Sequence, residues 1–232
     1  MPATSHARPM PSIAVRWIKN SVLAAGVFCG ATLASYAVRQ AAGAEDAGLG
    51  VALALHLADI ASWVLAGLAY GVLTGAVLQR IVPHLPARAW IALQAVLFGI
   101  SAVESGIGFT AALLSIPAAA DDNGLFETVI LFVGALVGAI FGALGGGAEA
   151  LVLRRVASGT VAWIGWSTLA HAIVIALFIG CARLWDMGSD FAGELIGQAL
   201  TFVSAMIIAV VMLPAVRRLK DPLLSKAGPH FD

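Results

Sequence analysis

The composition of this chain excludes a soluble globular domain. Of its 232 residues, 60% are hydrophobic and only 11% are charged. Soluble domains carry about 25% charged residues, so this chain has too few charges to cover a surface in water. Its net charge is zero, and we find no zinc, phosphate-binding, dinucleotide-binding or nucleic-acid pattern in it. We therefore expect an integral membrane protein whose partner is the lipid bilayer, with no nucleic acid partner, no metal and no cofactor.

Apolar runs long enough to cross the roughly 30 Å hydrocarbon core recur six times along the chain. The sequence therefore predicts an all-α integral membrane protein, a bundle of six transmembrane helices. A disordered cytoplasmic tail at 1–16 precedes the transmembrane domain at 17–216, and a second cytoplasmic tail follows at 217–232. Taken in chain order, the predicted spans are about 17–38, 57–78, 90–115, 125–153, 163–182 and 193–216.

The distribution of charge along the chain predicts the orientation. Eleven of the 13 Lys and Arg residues fall in the N-terminal segment, in the loops after the second and fourth spans, and in the C-terminal tail. Only Arg39 and Arg183 fall on the other side. Because Lys and Arg accumulate in cytoplasmic segments, we expect both termini in the cytoplasm. The Arg-rich and Ala/Gly-rich composition is typical of a GC-rich bacterial genome, so the predicted location is a bacterial inner membrane.

The first span has a second interpretation, as part of a secretory signal. Ala42-Gly43-Ala44 follows the apolar stretch and fits a small-x-small cleavage site. Cleavage after Ala44 would leave five helices. The apolar stretch from Ser21 to Val38 is longer than a usual signal core, which favours the uncleaved helix.

Glycine recurs every fourth residue in the second and fourth spans. This spacing keeps the glycines on one helix face, where the missing side chains let two backbones approach closely. We expect these faces to pack the second helix against the fourth, and the functional alternative is a sliding seam between two halves. The glycines are Gly67, Gly71 and Gly75 in the second span and Gly134, Gly138, Gly142 and Gly146 in the fourth.

Two segments of the chain resemble each other. Trp90-Ile91 and Trp163-Ile164 each follow a basic loop, and the pair Gly67 and Gly71 recurs later in the chain, with the same separation, as Gly142 and Gly146. The two units share an orientation, so helices 2–3 and 4–5 would form a parallel repeat about an axis along the membrane normal. The alternative is that glycine-rich spans, basic loops and interfacial Trp are common to membrane proteins in general.

Ionisable groups inside a membrane are costly, and they are therefore candidate functional residues. Glu104 lies about 21 Å from the cytoplasmic interface, and His171 about 12 Å from the cytoplasmic end of its helix, at 1.5 Å per residue. Polar residues at helical spacing on the sixth helix cover the depths between them. The sequence thus predicts a polar ladder on helices 3 and 6, with a purely structural role for Glu104 and His171 as the alternative. The ladder consists of Glu104, Gln198, Thr201, Ser204 and His171.

Two other groups of charged residues have structural interpretations. Glu149 lies about one helical turn from Arg154 and Arg155, which predicts a local ion pair at the cytoplasmic boundary. His56 and Asp59 share a helix face near the outer boundary. There we expect a solvated helix end rather than a metal site.

Three classes of function can be compared. The polar ladder, the glycine faces and the suspected repeat favour a small permease or transporter-like protein for a proton or a small polar solute. The alternative is a non-catalytic accessory or structural subunit, in a homo-oligomer or a larger membrane complex. An intramembrane protease would need Ser204 with His171, and neither lies in a nucleophile motif. We therefore expect no enzyme activity and no catalytic residues.

Overall fold

The computed structural model describes residues 12–41, 49–107, 125–184 and 191–220, with only the backbone for some positions near helix ends, among them Glu104 and Glu194. The described segments are helical, apart from turns and one isolated β-bridge between Ser158 and Lys220. Ala42-Gly43-Ala44, the predicted end of the third span at Ser115, and residues 1–11 and 221–232 of the two predicted tails lie outside the described residues. Residues 13–16 and 217–218 of those tails are helical.

The described residues form six long helices and one short one. Five of the long helices are long and apolar enough to cross a membrane, whereas the apolar part of the third, Ala87–Ala102, is shorter. This is the architecture of a multi-pass membrane protein, as the composition predicted. The helices are α1 (Ile13–Ala41), α2 (Leu49–Leu78), α3 (Ala87–Ile107), α4 (Leu125–Leu153), α5 (Thr160–Leu184), α6 (Phe191–Val211) and α7 (Leu213–Arg218).

The six long helices form a closed ring in chain order. Each helix packs on the next one along the chain, and α6 returns to pack on α1. The closest associations are the hairpins α2–α3 and α4–α5. In this ring α3 and α6 stand opposite each other, so residues on these two helices can meet only across the interior.

Glycines allow the two hairpins to pack closely. A Cβ added to Gly67 of α2 would lie 2.6 Å from the carbonyl oxygen of Gln94 on α3, and one added to Gly142 of α4 would lie 2.5 Å from that of Ser167 on α5. The predicted contact between the glycine faces of the second and fourth spans is therefore wrong, because each face lies against the next helix along the chain. The other glycines of these faces follow the same rule: Gly71 and Gly75 lie against Ile91 and Trp90, and Gly134, Gly138 and Gly146 lie against Ile179, His171 and Ser167.

The tightest part of the core lies at the end of the ring where the basic loops are. Trp17, Trp90 and Trp163 are buried there together with Leu78 and Leu153, the last residues of α2 and α4. Elsewhere large apolar side chains face outward along the helices, as a surface in contact with lipid requires. The bundle is therefore closed by packed aromatic rings at its basic end.

Candidate functional site

Three tryptophans from alternate helices meet at the basic end of the ring. Trp17 of α1, Trp90 of α3 and Trp163 of α5 are each at most 1% exposed. The ring of Trp163 meets those of Trp17 and Trp90 edge to face, with both centroid separations 6.0 Å. Edge-to-face pairs at this distance are favourable beyond the area that they bury. We call these three residues the tryptophan cluster.

The three residues of the tryptophan cluster are bonded in the same way. An indole N–H is a donor only and needs an acceptor when it is buried, and each of these finds one on a neighbouring helix of even number. The acceptors differ in chemistry: the backbone carbonyl of Ala209 on α6 for Trp17 (3.0 Å), the hydroxyl of Thr74 on α2 for Trp90 (3.1 Å), and the carboxylate of Glu149 on α4 for Trp163 (2.7 Å).

Glu149 is the centre of the polar interior at this end. Its Oε2 accepts the hydrogen bond from Trp163, and its Oε1 accepts one of 2.7 Å from the side-chain amide of Gln94 on α3. Tyr70 of α2 and His171 of α5 lie near enough to interact with it electrostatically. Glu149 thus connects α4 to both α3 and α5.

The ion pair predicted between Glu149 and Arg154 or Arg155 is wrong. The carboxylate is directed to neutral donors in the ring interior, whereas both arginines are exposed in the turn after α4. The local spacing along the helix placed these groups one turn apart. It did not show that the carboxylate lies on the inward face of α4 while the arginines follow its end.

The surroundings of the tryptophan cluster recur along the chain at a nearly constant interval. The three tryptophans are evenly spaced in the sequence, and the buried polar residues that follow them one turn later, Ser21, Gln94 and Ser167, repeat at the same interval. Thr74 and Glu149 are separated by almost the same interval. The turns after α2 and α4 also match, because Val82 and Ala157 each donate a 2.8 Å hydrogen bond to the last residue of the preceding helix.

The other end of the ring holds a cavity of about 490 Å³. Its lining includes an ion pair between Arg39 of α1 and Asp59 of α2, and the hydroxyl of Ser35 donates to the same carboxylate. Asp59 lies fifteen residues before Thr74, the acceptor for Trp90, so it is about 22 Å from the tryptophan cluster along the helix. The cavity is lined by Thr32, Ser35, Tyr36, Arg39, His56, Asp59, Ser62, Trp63, Ala102 and Gln198.

The position of this cavity follows from its lining. The residues belong to α6, α1, α2 and α3, which are consecutive in the ring, so the cavity lies between these four helices. His56 and Asp59 share a face, as their spacing predicted, and that face points into the cavity. Among the described residues, no three His, Cys, Asp or Glu side chains are grouped to hold a metal ion.

The side chains of four members of the predicted ladder are described, and they lie at different points along α5 and α6. Gln198 lines the cavity, and its backbone carbonyl accepts a 3.5 Å contact from the thiol of Cys29 on α1. Thr201 donates to the carbonyl of Gly197 on its own helix at 2.9 Å. The remaining two described members lie apart from the cavity lining: Ser204 is buried on α6, and Nδ1 of His171 lies 2.9 Å from the carbonyl oxygen of Ser167. The side chain of Glu104 lies outside the described residues.

The sequence contains a signal for the tryptophan cluster and its hydrogen-bond acceptors, which were not among the predicted site residues. Trp-Ile occurs three times at even spacing, the first time at Trp17-Ile18, and only the second and third copies entered the suspected repeat. With the first copy included, the repeat indicates equivalent polar positions near each tryptophan, and Thr74 and Glu149 are among them. Comparisons with protein-family models, curated proteins and solved structures find no match for this chain.

Proposed function

We propose that this protein is a small permease or transporter-like protein that moves a proton or a small polar solute through the interior of the helix ring. The observation that carries this proposal is the cavity of about 490 Å³, which contains the Arg39–Asp59 ion pair. Asp59 lies near the outer end of its membrane-spanning helix and faces the cavity instead of lipid, and charged groups that face a bundle interior or a water-filled cavity commonly mark a pathway. The cavity volume falls in the range of small-molecule sites.

The proposal includes six spans, with both termini in the cytoplasm of a bacterial cell. Supporting the count, α3 is 21 residues long, which corresponds to about 31 Å, close to the thickness of the hydrocarbon core. Supporting the orientation, Arg80 and Arg88 at one end of the ring are exposed, as are Arg154, Arg155, Arg217 and Arg218. Exposed basic residues at one end are typical of a cytoplasmic face.

We also propose that the ring is built from parallel repeats. The hairpins α2–α3 and α4–α5 support this through matched contacts: Gly67 with Gln94 corresponds to Gly142 with Ser167. Trp17 on α1 and its acceptor on α6 supply a third pair of the same kind, so the three pairs α2–α3, α4–α5 and α6–α1 complete the ring. Repeats of this kind place a transport pathway at the interface between units.

The test is a flux measurement with the full chain reconstituted in liposomes of phosphatidylethanolamine and phosphatidylglycerol. Proton entry is followed with internal pyranine under a valinomycin-driven potassium potential, and entry of urea and glycerol by light scattering. We expect flux above that of protein-free liposomes, and at least a tenfold loss in Asp59→Asn. Leu144→Ala changes a 68% exposed side chain and serves as the matched control with unchanged flux.

Two results would overturn this function. The first is folded wild-type protein that passes none of the three probes faster than empty liposomes. The second is flux that Asp59→Asn leaves unchanged. Co-purification with a partner together with the first result would favour the accessory subunit. Glu104→Gln tests the sequence-based ladder in the same assay, with loss of pH-linked flux as the expected result.

A further inference from the structure

The hydrogen-bond acceptors of the three residues in the tryptophan cluster can be compared with one another. Three indole N–H groups occupy equivalent positions, and two of them are satisfied by neutral acceptors, the carbonyl of Ala209 and the hydroxyl of Thr74. The third is satisfied by the carboxylate of Glu149. A neutral acceptor is therefore sufficient to hold a tryptophan of this cluster in place.

At the third position the acceptor is a carboxylate, which costs more free energy to remove from water than the neutral acceptors at the other two positions. Removing a carboxylate from water costs several kcal/mol unless a counter-charge and hydrogen bonds compensate. The donors to Glu149, Gln94 and Trp163, are both neutral, and no described Lys or Arg forms an ion pair with it. The protein thus retains a carboxyl group where its own equivalent positions use a hydroxyl or a carbonyl.

We propose that Glu149 is a proton-exchange site at the closed end of the ring interior. This inference rests on the proposed function and deepens it, because it names the proton as the transported or coupling ion. In the exchange a hydronium ion transfers a proton to Oε1, which forms an O–H bond and leaves a water molecule, and the reverse transfer to water restores the carboxylate and the hydronium ion.

The two hydrogen-bond donors are suited to such an exchange. The Gln94 amide faces Oε1 and contains both a donor and an acceptor. When Oε1 is protonated, the amide rotates and presents its carbonyl oxygen to the new hydroxyl. Trp163 can only donate, and it holds Oε2 in both states. Gln94 and Trp163 are thus positioning residues.

A test must distinguish the titration of Glu149 from that of the other titratable groups that face it from the neighbouring helices. They are the phenol of Tyr70 on α2 and the imidazole of His171 on α5, while α3 contributes the neutral Gln94. Tyr70→Phe and His171→Gln remove these groups one at a time. A pH-dependent signal that belongs to Glu149 persists in both variants, although its midpoint can move.

The experiment is an infrared pH titration of the full chain in liposomes, in which a protonated carboxyl group is recognised by its carbonyl stretch. We expect a band that titrates in the wild type and in Asp59→Asn, and that is missing in Glu149→Gln and Glu149→Thr. Glu149→Thr places a neutral hydroxyl acceptor at the position that matches Thr74, but it leaves the Gln94 amide without its acceptor, so the fold of both Glu149 variants is checked by thermal unfolding before the titration. Both Glu149 variants should lose at least tenfold in pyranine-detected proton flux.

The outcomes separate this inference from the proposed function. A titrating Glu149 band in a protein that shows no flux supports the proton site and contradicts the permease. Full proton flux in Glu149→Thr, or a band that Glu149→Gln leaves in place, overturns the proton site. If both Glu149 variants fail to fold while Thr74→Ala folds, the carboxyl group is a structural acceptor and the inference is wrong.

Discussion

Substitution of Gly142 tests the close packing of α4 on α5. In Gly142→Ala, the new Cβ would lie 2.5 Å from the carbonyl oxygen of Ser167 and 2.8 Å from Cα of Thr168. Carbon atoms pack optimally at about 3.5–4.0 Å from other carbons, so the two helices must separate by about 1 Å. Both contacted atoms belong to the backbone of α5, and a rotamer change cannot relieve the overlap.

The magnitude follows from two opposing effects. Overpacking of this kind costs about 1–3 kcal/mol, while the change from Gly to Ala in a helix contributes about 1 kcal/mol in the opposite direction. Gly145 lies on the same helix, and a Cβ added there meets nothing within 4 Å. Gly145→Ala therefore contains only the helix-propensity effect. We expect Gly142→Ala to be less stable than Gly145→Ala by about 1–3 kcal/mol.

The free energy of unfolding of the two variants can be compared in one detergent or bicelle system. The comparison cancels the contribution of helix propensity and isolates the contact with α5. Equal stability of Gly142→Ala and Gly145→Ala would refute the close approach of α4 to α5. Gly67→Ala provides an independent repetition in the α2–α3 hairpin, where the added Cβ would lie 2.6 Å from the carbonyl oxygen of Gln94.

Two further predictions concern single contacts. Thr74→Val leaves the buried indole N–H of Trp90 without its acceptor and should cost about 1–3 kcal/mol in the free energy of unfolding; Thr74→Ser keeps the hydroxyl, and a loss of similar size in both variants would contradict this role. Gly159→Ala should lower the thermal midpoint, because Gly159 has φ +86° and an added Cβ would lie 2.6 Å from the carbonyl oxygen of Arg218. Gly165→Ala, where the added Cβ meets nothing within 4 Å, should leave the midpoint unchanged or raise it.

The helices could be predicted from the sequence because lipid imposes simple requirements. A membrane span needs an uninterrupted apolar run of sufficient length, and α4 has the bounds 125–153 that the apolar run indicated. At the other end of the chain, the last span was predicted as continuous from 193 to 216. The structure interrupts it at Met212, and Pro214 lies in the first turn of α7, where its missing N–H costs least.

Helix partners could not be predicted from spacing alone. Fourfold glycine spacing identifies a face that admits a close neighbour, but it contains no information about which helix that neighbour is. Gly67 and Gly142 were therefore assigned to each other, although each lies against the helix that follows its own. In the same way, the spacing of Glu149 to Arg154 described one helix and omitted Gln94 and Trp163, which come from its two neighbours in the ring.

The two ends of the ring impose different conditions on any passage through it. One end holds the cavity beside Asp59, while the other is closed by three tryptophans that are at most 1% exposed. Each tryptophan on an odd-numbered helix is bonded to an even-numbered one, so a path to the basic end requires that at least one such bond lengthen. The bond to Glu149 is the one whose strength depends on a proton, because hydrogen bonds to a charged acceptor are roughly twice as strong as those between neutral groups. Protonation would weaken the hydrogen bond of Trp163 while those of Trp17 and Trp90 stay constant, so in the proposed function a proton on Glu149 changes how firmly one of the three tryptophans is held at the closed end.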